Sequence, residues 1–593
     1  MQKQRSCLFI AALIFAASSS PGVTLLSGPL FVPATNAPLA GVLQLTTDVD
    51  ARVCVSVDDG TSSWSRNFYE FNRNHSVVLA GFKPGRTNQI LVTVHDQAQN
   101  IYAATQPLIF VTARLPADFP HSVVLQSDPS KMEPGYTLFI IQNRTAKKAY
   151  ITAMNNSGDV VWYSPIRLGD VDVRQLSNGD LFIEEQAPLN RFLEINLLGE
   201  TVKTWSAPTA YPVNNHDGVP TDHGTILYLS DASRVVSDFP TNATDPNASR
   251  GTVTVDDNPV VEISATNGAL LHAWAPIDML DPTRVTYLTY QFPTTLGVDN
   301  EHANAVLEDP NDNSIIVSLR NQNAVFKFLR STGKLKWILG PHANWNTSFA
   351  PFLLNPVGTP FEWNYGQHAP KVTPRGTVLL YDDGNARACP YVPPVADQNN
   401  YSRGVEYSIN ETNMEVAQVW DSTPAAGDRL YTGAVGDADW LRVTGNILVT
   451  YGLISYVNGV HPSLTSSNAT MVRIREFTHD PVPQVVFDLS FFDYNNTNPT
   501  NTGYLCYRSD RIPDLYAHPA MAVCDLKVVS SAGGPLLRFS GDSSRTFSIE
   551  ASSDLLQWAQ IGNATQLQEA DTFEFQDTAS ATSTVRFYRV VTH

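Results

Sequence analysis

Cysteine is scarce in this chain, with five residues in 593. Cys7 lies in an N-terminal apolar run, which leaves Cys54, Cys389, Cys506 and Cys524. Four cysteines in so long a chain do not make a disulfide framework, and no CxxC or Cys/His spacing of a zinc site is present. Cys506 and Cys524 are near enough in sequence to pair in an oxidising compartment, and a bridge between them is expected. Cys54 and Cys389 are expected to stay unpaired. Basic charge is also in deficit, 39 Lys plus Arg against 57 Asp plus Glu, for a formal charge of −18. That argues against unaided binding to nucleic acid or to an anionic membrane, both of which need basic patches. Charged residues make up only 16% of the chain, while 43% are apolar and 10% aromatic. Such a composition is ample for packed cores and unlike that of a disordered chain.

Long apolar runs are absent beyond the N-terminus. There, Lys3 and Arg5 precede the run Cys7 to Ala17, followed by Ser18 to Ser20, Pro21 and Gly22. This charged, apolar, small-residue order is that of a secretory signal peptide. The run is well short of the ~20 residues that a spanning helix needs. Residues 1–22 are therefore expected to be removed. The mature protein is expected to be exported, to a periplasm or the exterior, without membrane insertion.

Stretches with a 3.6-residue period are few as well. Short β-branched and aromatic runs between Gly, Asn, Asp and Pro turns dominate, which predicts an all-β protein. One pattern recurs, and its clearest copy runs from His302 to Leu339: HANAVLE, the turn DPNDN, SIIVSLR, NAVFKFL, the turn STGK, then LKWIL closed by Trp337. Trp162, Trp205, Trp274 and Trp420 close similar segments, and Phe487 closes a sixth. These spacings suit four-stranded sheets with variable loop insertions. The expected architecture is a six-bladed β-propeller over residues 115–527, with one or more β-sandwiches as the alternative. Residues 23–114 read as an immunoglobulin- or fibronectin-like sandwich of seven or so short strands. Residues 528–593 read as a small C-terminal β-module.

Three of the expected blades begin with a histidine. His216 heads HDGVPTDHGTILY, His368 heads HAPKVTPRGTVLLY, and His302 heads the block given above. In a propeller these positions converge at one mouth of the central channel. Asn304, at i+2 from His302, is expected on the same strand face, and Arg320 ends the next strand near that mouth. Asp170, Asp172, Asp437 and Asp439 occupy corresponding positions in two other blades. The residues alone leave three readings open: a catalytic or binding cluster, a His-rich zinc site, or hydrogen bonds between blades.

The block NEHANAVLEDPNDNSIIVSLRNQNAVFKFLRSTGKLKWILGPHANW resembles the signature stretch of the bacterial arylsulfate sulfotransferases. So do NNHDG around His216 and NYGQHAPKVTPRGTVLLYDDGNARA around His368. The resemblance runs from about residue 25 to about 525 and does not include the C-terminal module. It implies an exported six-bladed propeller with an N-terminal immunoglobulin-like domain. It also implies transfer of a sulfuryl group from a phenolic sulfate ester to a phenol, ping-pong through a transient sulfohistidine and without a nucleotide donor, cofactor or metal. By the resemblance His368 is the nucleophile, and His216, His302, Asn304 and Arg320 are the other site residues; as residue types, His216 and His302 suit hydrogen bonds to the group in flight, and one of them a shuttle for the phenol proton. Thr432 in LYTG falls near a family hydroxyl residue. The family's short-range cysteine pair is missing, because Cys389 has no near neighbour. The implied partners are small phenolic sulfates and phenols, and both the accessory module and the propeller edge offer surfaces for a homodimer. A non-turnover aryl sulfate binder and an aryl sulfate hydrolase are the alternatives.

These residue types suit the chemistry. Sulfuryl transfer resembles phosphoryl transfer, in which positioning and electrostatic stabilisation dominate. A neutral imidazole is a nucleophile near pH 7, with a reference pKa of about 6.5. A guanidinium presents a planar fork to sulfate oxygens.

Overall fold

The computed structural model describes residues 23–592 except 98–99, 170–171, 292–293, 310, 424–427, 464–465, 493–501, 517–523, 532–533, 541–545, 554–557, 568–571 and 579–585. The expected signal segment lies outside the described residues. The class is all-β, as expected, and no helix among the described residues is long and apolar enough to cross a membrane.

The chain divides into two compact units. The smaller is built on six strands in one hydrogen-bonded network, rather than seven or so short ones. Two of the strands, Ala40–Asp58 and Ser63–Ala80, run for 19 and 18 residues. Leu43, Leu45, Val53, Val55 and Val57 alternate inward along the first of these, the period-2 signature of a half-buried strand.

In the larger unit six antiparallel sheets follow one another. Sheet I holds Tyr136–Asn143, Lys148–Asn155 and Val160–Ile166. Sheet II holds Val173–Gln175, Leu181–Glu185, Arg191–Ile195 and Thr201–Ser206. Sheet III holds Gly218–Pro220, Thr225–Leu229, Val260–Ser264 and Leu270–Trp274. Sheet IV holds Ala303–Asp309, Ser314–Leu319, Ala324–Leu329 and Leu335–Leu339. Sheet V holds His368–Val372, Val378–Asp382, Arg403–Asn410 and Glu415–Asp421. Sheet VI holds Leu430–Thr432, Gly436–Trp440, Ile447–Val457, Met471–Phe477 and Val485–Phe491. The two ends of the series interlock. Ser122–Ser127 pairs with the last strand of sheet VI, while Tyr504–Leu505 and Ser509–Ile512 pair with the first strand of sheet I.

Apolar runs such as SIIVSL are continuous because both faces of the strand are covered. Ile226 and Tyr228 pack toward sheet II against Phe192 and Trp205, while Leu227 and Leu229 pack toward sheet IV against Val306 and Val317. Sheets IV and V meet through Ile316, Val325 and Trp337 against Leu380 and Val405. Three of the closing tryptophans also have a polar task, whereas the Trp420 indole N–H has no partner among the described residues. The indole N–H of Trp162 donates to the Leu197 carbonyl (2.8 Å), that of Trp205 to Ala265 (2.7 Å) and that of Trp337 to a Glu411 carboxylate oxygen (2.9 Å). Each acceptor lies in the outer turn of the next sheet, so one residue type both fills the inter-sheet core and fixes its neighbour. Truncating such a residue to Ala costs about 3–5 kcal/mol.

The bridge expected between Cys506 and Cys524 is not formed. Cys506 is a free, buried thiol whose N–H donates to the Gly452 carbonyl (3.1 Å) and whose Sγ donates to the Arg508 carbonyl (3.2 Å). Its backbone is held against the middle of sheet VI, which turns the thiol into the core, and burial pushes its pKa well up. The Cys524 side chain lies outside the described residues. The C-terminal strands begin at Cys524–Ser531, before residue 528, and enclose a core of Leu537, Phe539, Phe547, Ile549 and Phe573.

Candidate active site

Sheets III, IV and V each enter their first strand through a histidine-bearing turn. His216 and His302 are themselves left-handed (φ +64° and +49°), and Ala369 takes that role after His368 (φ +48°). Such a conformation costs a non-glycine residue on the order of 1–2 kcal/mol. The surrounding hydrogen bonds hold it: Arg320 N–H donates to the His302 carbonyl (3.0 Å) and Asn215 N–H to the Leu229 carbonyl (2.9 Å).

The structure brings the three histidines together. The rings of His216 and His302 lie 4.6 Å apart between centroids. Tyr507 bridges to the third ring, stacked on His216 at 6.3 Å and edge-on to His368 at 6.2 Å. Each outer histidine has its own carboxylate: His302 Nδ1 is 2.7 Å from Asp299, and His368 Nδ1 is 2.5 Å from Asp383. The Gly366 carbonyl also faces His368 Nδ1, at 3.1 Å. A carbonyl can only accept, so the hydrogen sits on Nδ1 and the Nε2 lone pair is free.

Electrostatics keep two of the rings neutral. Burial, then the Arg320 charge, pushes His368 well below its usual pKa; burial, then His302, does the same to His216. Burial also pushes the Asp383 carboxyl up, while Arg320 pulls it back. Taken singly, burial would leave both His368 and Asp383 neutral. The short contact means that they share one proton instead, held on Nδ1, with Arg320 favouring the carboxylate form.

Arg320 is buried and anchored. Its Nη1 donates to Asn321 (2.9 Å), and its Nη2 donates to the Gly433 carbonyl (3.1 Å), Asn385 Oδ1 (3.3 Å) and Gln291 Oε1 (3.4 Å). Its Nε has no partner among the described residues. The Thr432 hydroxyl donates to Asp383 (3.2 Å), which places it in the same network.

Asn304 does not follow the i, i+2 expectation. The strand begins only at Ala303, His302 is left-handed, and an irregularity separates Ala303 from Ala305. The Asn304 amide donates to the Gln367 carbonyl (2.8 Å), next to His368. The acids expected at the mouth are occupied with cations. Asp172 and Asp217 both accept from Arg508 Nη1 (3.0 and 2.7 Å) and from Arg174 (2.9 Å each), and Asp437 and Asp439 hold Lys371. Asp170 lies outside the described residues. Among the described residues, the one group of three converging metal-ligand types is Asp309, Asp312 and Glu411, and Lys327 Nζ already sits within it at 2.6–2.9 Å.

Sequence reasoning missed Asp299, Asp383, Tyr507 and Arg508. Asp383 had a signal in the hairpin register, since His368 pairs with Tyr381, two residues before it. Asp299 stands three residues before His302. Tyr507 and Arg508 had none, because they arrive on the segment that returns to sheet I.

Over residues 96–504 the sequence matches the family model described as arylsulfotransferase (ASST). The chain belongs to the arylsulfotransferase family. Two similar relatives of the family are arylsulfate sulfotransferases AssT. The one from Escherichia coli O6:H1 is 26% identical over 284 residues, 40% of this chain and 45% of that protein. The one from Lelliottia amnigena is 24% identical over 320 residues, 46% of this chain and 51% of that protein. The chain thus spans about half the length of the curated relatives it matches. A solved Bacteroides caccae protein of unknown function aligns at 12% identity and a TM-score of 0.34, over 63% of this chain and 99% of that one.

Proposed function

We propose that this chain moves a sulfuryl group from a phenolic sulfate ester to a phenol by a ping-pong route through a sulfohistidine at His368, without a nucleotide donor. The observation that carries the reading is the His368 ring: both acceptors face Nδ1, so Nε2 presents a lone pair within the field of the buried Arg320. In the first half-reaction that lone pair forms an N–S bond while the S–O bond to the aryl group breaks. The phenolate leaves and takes up a proton. In the second, the acceptor phenol oxygen attacks sulfur, the N–S bond breaks, and the acceptor proton is lost. His302, partly open to solvent and oriented by Asp299, gives and takes that proton. Arg320 and His216 stabilise charge on the peripheral sulfuryl oxygens. Asn304 acts through the Gln367 carbonyl that it holds.

The same reading takes the six sheets as blades of a β-propeller over residues 115–527, joined by their interlocked ends, with the immunoglobulin-like unit at 23–114 and the module at 528–593. It takes the N-terminal segment as an export signal.

The test is a peptide mass map after brief exposure to p-nitrophenyl sulfate, quenched without acid. The expected result is an SO3 adduct on the His368 peptide that added phenol discharges, and that His368→Ala loses along with turnover. Rapid p-nitrophenol release without an adduct would point to hydrolysis or direct transfer. Near-normal turnover in His368→Ala would sink the reading.

A further inference from the structure

A cavity of about 610 Å³ is lined in part by Gln291 and Asn385, two of the residues that hold Arg320, and its size is within the range of small-molecule sites. Three loops tie around it: Tyr290 OH donates to the Pro240 carbonyl, Tyr287 OH to the Val392 carbonyl, and Tyr391 N–H to the Ala243 carbonyl (3.4 Å). Its walls carry Tyr287, Tyr290, Tyr431, Leu288 and Val395, a lining suited to aromatic rings.

The cavity is electrically lopsided. Gln291 and Asn385 line it and both accept from Arg320 Nη2, which places the guanidinium behind that wall. From there a chain of hydrogen bonds runs along the lining. Asn385 Nδ2 donates to Tyr431 OH (3.0 Å), and Tyr431 OH donates to Asp397 Oδ1 (3.0 Å). Among the described residues of the lining, Asp397 is the one carboxylate, and no Lys, Arg or His joins it there. The nearby Arg429 donates instead to the carbonyls of Gln398 (3.0 Å) and Asn399 (3.5 Å). The cavity therefore has a buried guanidinium behind the Gln291 and Asn385 wall and a carboxylate further along its lining, with tyrosines among the remaining walls.

We propose that this cavity selects aryl substrates bearing a cationic amine on the side of the ring away from the reacting oxygen, with Asp397 as the selecting residue. The inference rests on the sulfuryl-transfer reading. The ester sulfate faces Arg320, the ring lies among the tyrosines, and an ammonium group reaches Asp397. A carboxylate in the same place meets Asp397 as a like charge in a chain already strongly acidic.

The test compares two acceptors of similar size and opposite charge, tyramine and 4-hydroxyphenylacetate, with phenol as reference and p-nitrophenyl sulfate as donor. The intact enzyme should favour tyramine in kcat/KM by about tenfold, the range of two partly exposed charge contacts. In Asp397→Asn, which keeps an acceptor oxygen for Tyr431, that ratio should fall toward unity whichever way the absolute rates move. Raising salt should compress it in the intact enzyme as well. A ratio near unity in the intact enzyme, or one that Asp397→Asn leaves unchanged, overturns the selection while leaving sulfuryl transfer standing. No transfer to any acceptor, phenol included, removes the underlying reading and this inference with it.

Discussion

Asp383 Oδ2 lies 2.5 Å from His368 Nδ1, with both residues buried. The pair fixes which imidazole nitrogen carries the hydrogen and which is free. Asp383→Asn tests this. An amide can donate to Nδ1, which moves the ring hydrogen to Nε2 and removes the lone pair. On the precedent of oriented His–Asp pairs, kcat should fall by about 10³–10⁴-fold with the fold intact. The SO3 adduct should be lost in parallel. Turnover within tenfold of the intact enzyme would mean that Asp383 does not set the tautomer.

The buried histidines make a second prediction, about pH. His368 and His216 are both held well below the usual pKa of 6.5, mainly by burial. The nucleophile should therefore stay unprotonated below pH 6.5, and kcat/KM for the donor should show no acid limb at an ordinary histidine pKa. An acid limb at an ordinary histidine pKa that persists in His302→Gln would mean that His368 itself is being protonated. Stability carries the same sign. A depressed folded-state pKa means that the unfolded chain binds protons first, so the stabilisation is present above pH 6.5 and is lost as pH falls below it. Melting curves between pH 7.5 and 5.5 check this.

Gly366 stands against the Arg320 network. An added Cβ there would lie 2.1 Å from Asn385 Oδ1, and the residue is left-handed (φ +64°). Asn385 is both a partner of Arg320 and a wall of the cavity. Gly366→Ala should displace it and lower kcat/KM about 10–100-fold, because misplacement by an ångström is costly in a positioned site. The loss in melting temperature should be a few degrees only, as expected for about 1–2 kcal/mol of backbone strain. A normal kcat/KM would show that Asn385 is not needed where it stands.

Much of this arrangement was legible because it repeats. The closing tryptophans recur because each packs between sheets, and the indoles of Trp162, Trp205 and Trp337 also reach a carbonyl or carboxylate of the next one. SIIVSL and its equivalents read as continuous apolar runs since both faces are covered. The histidines stood out because each heads a first strand. What could not be read depends on geometry that a repeat does not encode. The left-handed turn at His302 broke the two-residue parity that would have aimed Asn304. Arg508 meets the Asn304 carbonyl across 204 residues of sequence. Cys506 looked like half of a bridge, and its backbone pairing with Gly452 turned it inward.

Glu184 offers the last test, because it is a buried carboxyl with neither oxygen partnered among the described residues. Burial, then the charges of Asp217 and Asp172, pushes its pKa up to about 8 from 4.5. Between those values the folded protein keeps a proton that the unfolded chain has released, so this group's contribution to stability declines as pH rises from 4.5 to 8. Glutamine mimics the protonated form and does not titrate. The change in melting temperature caused by Glu184→Gln should therefore be more favourable at pH 8 than at pH 5, by at least about 2 °C. The difference between the two pH values is the informative quantity, because the amide brings its own unpartnered donors and shifts both melts alike. Equal shifts at pH 5 and pH 8 would mean that Glu184 is ionised in the folded protein. In that case Arg508, which already holds Asp172 and Asp217, would have to balance a third carboxylate.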